Sequence, residues 1–118
     1  MSTEKAIVIR ELDLPSDGAS LQRVWREIGW SDSNRTDRMM LEFYTEGSTG
    51  VGPIDDEVEC AVLTQPGTMR LDTKDLPLCV VSAVTTSRIA RGLSLAQKLT
   101  ARQLAKGQQD GAAVATLG

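Results

Sequence analysis

Apolar and polar positions along this chain change period several times, and each change marks an element. Ala6-Ile7-Val8-Ile9-Arg10-Glu11-Leu12 is rich in β-branched residues and predicts a first strand. Asp13 to Gly18 has turn chemistry. Leu21, Val24, Trp25 and Ile28 then recur at helical spacing, with Gln22, Arg23, Arg26 and Glu27 between them and Gly29 as a stop. Ser31-Asp32-Ser33-Asn34 offers N-cap residues for a second helix through Tyr44, whose apolar side would hold Met39, Met40 and Phe43. Gly47 to Pro53 reads as a flexible loop.

After that loop, Glu57–Leu63 predicts a strand, Gln65–Thr68 a turn, and Met69–Asp72 a short strand paired back upon it. Lys74 to Pro77 connects to a central apolar strand, Leu78–Thr85. A short turn with two arginines and a glycine follows, then helical spacing from Gly92 to Gly107, then an apolar strand at Ala113–Leu117. The order is β-α-α-β-β-β-α-β, a mixed α/β (α+β) arrangement. No repeat or linker divides residues 1–118, so they are expected to form one domain. The last strand would leave an unprotected sheet edge, to be covered by a further segment, a partner chain such as a second copy in a homo-oligomer, or a crystal neighbour.

The chemistry concentrates where the central strand gives way to the last helix. A helix N-terminus presents unpaired backbone N–H groups and a partial positive charge, both favourable to a phosphate-bearing ligand. Arg88 and Arg91 add charge-assisted donors, and Gly92 would let the backbone approach a pyrophosphate without a Cβ in the way. Read more plainly, Gly92 is a strand-to-helix turn glycine and the two arginines are solvated. Two better-known phosphate motifs are absent: there is no G-x-x-x-x-G-K-[ST] and no G-x-G-x-x-G after the strand.

The turn Ile89-Ala90-Arg91-Gly92-Leu93-Ser94 resembles the acyl-coenzyme A turn of the GNAT acetyltransferases, [Q/R]-x-x-G-x-[G/A], between their fourth strand and third helix. It keeps the central glycine and departs at Ile89 and Ser94. Ser82-Ala83-Val84 before the turn, the leucine-rich stretch Leu93 to Leu104, and Gly111 to Gly118 extend the likeness, which is nearest in feel to the enhanced-intracellular-survival group.

The resemblance implies a GNAT-like mixed central sheet with helices on both faces, acetyl-CoA as co-substrate and a primary amine of a small molecule or protein as acceptor. It also implies that this chain stops just after the family's fifth strand begins. Ser82, Ala83 and Val84 would carry the pantetheine arm. Arg88, Ala90, Arg91, Gly92, Leu93, Ser94 and Leu95 would carry the phosphates, and Gly118 would sit where the next strand passes the cofactor. Trp30, Phe43 and Tyr44 would line an acceptor cleft, and Trp25 is either a fourth such residue or plain core. In the family a catalytic acid, often tyrosine, comes from beyond this point, and the likened group uses a terminal carboxylate as base. No catalytic residue is therefore assigned here, and Tyr44 is expected in the core or on the cleft rim. The alternative is a non-catalytic, degenerate or truncated module that binds acyl-CoA weakly or serves as an interaction domain, motivated by Ile89, Ala90 and Ser94. A third reading is a small α/β domain with no cofactor.

Composition narrows the field. With no histidine, Ser-His-Asp and Cys-His catalysis and imidazole-dependent metal sites are excluded within the chain, and no metal is expected. A net charge of −3 argues against nucleic acid or an anionic membrane as partner. Cys60 and Cys79 lack C-x-x-C spacing, sit in apolar runs and read as reduced core residues. Without a signal-like start or an apolar run near the ~20 residues that span a bilayer, the expected location is cytoplasmic.

Overall fold

A computed structural model of the protein describes residues 8–117. Within them the elements run β1 (Arg10–Glu11), α1 (Leu14–Glu27), α2 (Asn34–Tyr44), β2 (Ser48–Ile54), β3 (Glu57–Leu71), β4 (Lys74–Thr86), α3 (Leu95–Gln109) and β5 (Val114–Leu117). The five strands lie in the sheet in chain order. β1 to β4 pair antiparallel and β5 joins β4 in parallel, with α3 as the crossover. The described part is thus a mixed α/β sheet carrying helices on both faces.

The sheet separates two apolar cores. On one face Leu21 and Trp25 of α1 and Tyr44 of α2 pack on Val51, Val58, Ala61 and Leu63. On the other, Leu95 and Leu99 of α3 pack on Ile54, Cys60, Val62, Cys79 and Val81. Cys60 and Val62 face α3 while Ala61 and Leu63 face α1, as a strand's two-residue period requires. Both faces are covered, so Cys60–Leu63 reads as a continuous apolar run. Both cysteines are free and buried, and burial pushes both thiols up from their ordinary range. Among the described residues no helix is long and apolar enough to cross a membrane, and no cluster of His, Cys, Asp and Glu could hold a metal ion.

The element order agrees with the sequence expectation, but its parts are distributed differently. Of the expected first strand, Arg10–Glu11 pairs as β1, while Ala6 and Ile7 lie outside the described residues. The Asp13–Gly18 stretch is not a turn: α1 begins at Leu14 with Pro15 in its first turn, where a missing N–H costs nothing. The expected loop at Gly47–Pro53 is instead β2, buried from Thr49 through Ile54. Its glycines are required by close approach, not by looseness. A Cβ on Gly50 would stand 2.6 Å from Gln103 Oε1, and one on Gly52 would stand 2.9 Å from Leu95 Cδ2. The Gln65–Thr68 turn does not exist either, because Glu57–Leu71 is one strand whose outer half pairs with Lys74–Leu78 as an exposed ribbon. On α2 the expected apolar side is divided: Met40 packs against the core, Met39 and Phe43 are exposed, and Tyr44 supplies the fully buried contact.

Candidate functional site

The site lies where β4 leaves the sheet and the chain climbs to α3. β5 pairs with β4 only over Leu78–Val81, so Ser82 to Val84 have no β5 partner among the described residues. Against β3 the register steps between Ala61 and Leu63, so Val62 faces Ala83 and Val84 together. This is a β-bulge, and Ala83 takes φ 52° within it. A left-handed alanine costs about 1–2 kcal/mol, so surrounding contacts must hold it.

Those contacts come from Tyr44. Its hydroxyl donates to the Ala83 carbonyl at 2.5 Å and is in hydrogen-bond contact with Thr85 Oγ1 at 2.6 Å. The ring is wedged between Trp25 (centroids 5.1 Å apart) and Phe43, which meets it edge-on at 6.2 Å. Burial pushes the phenol up to about 12, so Tyr44 is neutral across the physiological range. The placement of Tyr44 on a cleft rim is therefore corrected: it is 1% exposed and bonds to the strand. Of the other acceptor-cleft candidates, Phe43 is part of this cluster with its outer edge exposed. Trp30 is also exposed, but its ring pairs with no other aromatic ring among the described residues.

Past Thr86 the chain makes a tight turn. Ser87 N–H donates to the Glu59 carbonyl at 2.8 Å, anchoring the turn to β3. Arg88 N–H donates to Glu27 Oε2 at 3.2 Å, tying it to the end of α1. Ala90, Arg91 and Leu93 donate back to Ser87, Arg88 and Ala90. Gly92 has φ 84°, and nothing lies within 4 Å of where its Cβ would be, so this position asks for glycine by backbone conformation and not by crowding.

The helix does not begin near Gly92, as the sequence suggests, but at Leu95. Its N-cap, Ser94, is itself left-handed (φ 56°) and makes no side-chain cap bond. In consequence the N–H groups of Gly92, Ser94, Leu95, Ala96 and Gln97 have no hydrogen-bond acceptor among the described residues. The Arg88 and Arg91 side chains are exposed, and neither forms an ion pair among the described residues. Five unpaired amides and two guanidinium groups without ion pairs at one helix start make a local field that favours negative charge.

The structure also sorts the remaining candidates. Ala90 and Leu95 are 1% exposed and pack into the α3 core, so Ala90 offers a ligand neither its side chain nor its N–H. Leu95 keeps a free N–H, whereas Leu93 projects outward with its N–H engaged. Ser82 Oγ is buried and has no hydrogen-bond partner among the described residues. Gly118 lies outside the described residues. Thr85, Glu27 and the amides of Ala96 and Gln97 were not foreseen. Only Thr85 left a trace in sequence, as a hydroxyl residue closing an apolar run.

Glu59 is a second unforeseen feature, although a carboxylate inside Val58-Glu59-Cys60-Ala61-Val62 was visible. It is 1% exposed and pairs with Arg23 of α1. A cavity of about 570 Å³ lies at the other end of α3, lined by Glu11, Ser48, Cys79, Lys106 and Asp110 among others. At roughly 1.5 Å per residue, most of the helix separates it from the bare amides, so it belongs to no part of this site.

No family model matches the sequence, and neither does any curated protein. Solved structures do match. An aminoglycoside N-acetyltransferase in complex with CoA has a TM-score of 0.79 at 10% identity, over 100% of this chain and 80% of that one. An acetyltransferase from Trypanosoma brucei has a TM-score of 0.73 at 14% identity, over 96% and 82%. The glucosamine-6-phosphate N-acetyltransferase of Arabidopsis thaliana has a TM-score of 0.70 at 13% identity, over 96% and 82%. At these identities the likeness is one of fold: the described sheet and helices have the GNAT architecture.

Proposed function

We propose that this chain binds acetyl-CoA at the start of α3 and takes part in acetyl transfer to a primary amine. The observation that carries the reading is the row of unpaired N–H groups at Gly92 and Ser94–Gln97, beside Arg88 and Arg91. These amides would hold the pyrophosphate, and the arginines would meet it or the 3′-phosphate. The stretch of β4 beyond its pairing with β5 would carry the pantetheine arm by its backbone.

Acetyl-CoA, when bound, supplies the activated thioester. In the transfer, the amine nitrogen bonds to the acetyl carbon, the carbon–sulfur bond breaks, and the thiol leaves with a proton. The chain's own contribution is to hold the phosphates and to aim a strand kinked at Ala83 at the acyl group. The likeness to the enhanced-intracellular-survival group rests on the sequence block alone.

Calorimetry with coenzyme A on the wild type and on Gly92→Glu tests the reading. Micromolar binding by the wild type, about −8 kcal/mol, and at least a tenfold loss in the variant are expected. No heat from the wild type, or equal heat from both, overturns it. A second reading has a specific motive: only Arg88 and Arg91 are cationic in the turn, with Ile89 exposed where the motif has Gln or Arg. A non-catalytic module binding acyl-CoA weakly would look the same. Acetylation of spermidine or kanamycin by this chain excludes that module.

A further inference from the structure

We infer that Tyr44 is a positioning residue, its buried hydroxyl setting the kink in β4 at which an acyl carbonyl is received. The inference rests on the acyl-transfer reading above and adds to it the group that fixes the strand. Tyr44 closes α2, and its two hydrogen bonds fall on Ala83 and Thr85, one within the bulge and one just past it. Thr85 is fully buried, and Tyr44 is nearly so, packed between Trp25 and Phe43. The cluster has no freedom to follow a strand that straightens.

The consequence for β4 is geometric. The peptide between Ala83 and Val84 is trans, so its N–H points opposite to its carbonyl. With the Ala83 carbonyl drawn to Tyr44, the Val84 N–H is turned away from the α1–α2 core. It lies where β4 has no β5 partner among the described residues. Alanine does not hold a left-handed conformation unaided. Without the phenol, Ala83 relaxes to an extended conformation and that N–H swings out of place.

The test uses Tyr44→Phe, which keeps the ring and removes only the hydroxyl, and the double variant Tyr44→Phe with Ala83→Gly. Glycine takes the left-handed conformation with no Cβ penalty, so it restores the kink without restoring the phenol. Backbone chemical shifts of residue 83 report its conformation with no ligand present. Calorimetry with acetyl-CoA and with coenzyme A then isolates the acetyl group.

In the wild type we expect left-handed shifts at Ala83 and tighter binding of acetyl-CoA than of coenzyme A. In Tyr44→Phe we expect extended shifts, up to about a tenfold loss on acetyl-CoA, the size of one hydrogen bond, and a change on coenzyme A within about twofold. The double variant should recover acetyl-CoA binding. Left-handed shifts persisting in Tyr44→Phe with acetyl-CoA binding intact, or a loss that glycine fails to repair, overturns the inference. A wild type that binds neither ligand overturns the acyl-transfer reading. The shifts at residue 83 then decide by themselves whether Tyr44 holds the kink.

Discussion

Helix starts in this molecule are finished in two ways. The start of α2 is closed by its N-cap side chain, Ser33 Oγ accepting the Thr36 N–H at 3.2 Å; at α1 the N-cap Asp13 makes no side-chain cap bond, but its own N–H is taken at 2.8 Å by Asp17, which also grips Arg10 with both oxygens. α3 is not closed at all. Its N-cap serine is left-handed and makes no side-chain cap bond, although serine is among the best capping residues. One helix start capped by its own serine, a second tied down by Asp17 and a third left bare on an exposed turn with two arginines is the contrast on which the proposed anion site rests.

If capping does not secure the start of α3, packing must. Leu95 is buried to 1% and seats over Gly52 of β2, and Leu99 and Gln103 follow it down the same face, closing over Gly50. Leu95→Ala should therefore be the most damaging change, costing about 2–5 kcal/mol in denaturant unfolding. A loss below about 1 kcal/mol would mean that something other than this contact holds the turn.

The kink on the opposite face has its own signature. Tyr44 is the only tyrosine, so ultraviolet absorbance of tyrosinate reports it without interference. We expect a midpoint near 12 in the folded protein and an ordinary one near 10 after denaturation. Because the folded state holds the proton more tightly, its stabilisation is fully present below pH ~10. It is lost as pH rises through 12, by about 2–3 kcal/mol in all. Tyr44→Phe should remove that slope. A folded midpoint near 10 would place the phenol in water.

The smallest effect is the sharpest for the comparison. Ser94→Asp places a carboxylate at the bare helix start, so it should stabilise the free protein by about 0.3–1 kcal/mol while weakening coenzyme A binding. Opposite signs are the point. A variant that loses stability and keeps coenzyme A affinity would show that the open amides are not where the phosphates bind.

The sequence was easiest to read where local and global signals agree. The run from Val80 through Leu117 announces strand, turn, helix and strand by β-branched residues, a left-handed glycine and helical leucines, and the structure has them in that order. It was hardest to read at β2. Gly50, Gly52 and Pro53 look like a loop by composition, and the reason for them is the surface of α3, more than 40 residues away in the chain. The β2–β3 hairpin hid for a similar reason: its turn is Asp55-Asp56, both at positive φ, without the glycine that usually marks one. At the site, Gly92 and the arginines were legible. The left-handed Ser94, which moves the helix start to Leu95 and frees the amides of Ala96 and Gln97, has no local signature. Nor does the bond from Tyr44 to Ala83, which joins residues 39 apart.

The most direct measurement is a titration of the isotope-labelled protein with coenzyme A, following amide shifts residue by residue. The amides of Gly92, Ser94, Leu95, Ala96 and Gln97 should move first and furthest, while that of Thr36 at the capped start of α2 stays still. Saturating coenzyme A that leaves those five in place, or that moves the residues around the far cavity near Lys106 instead, would contradict the account.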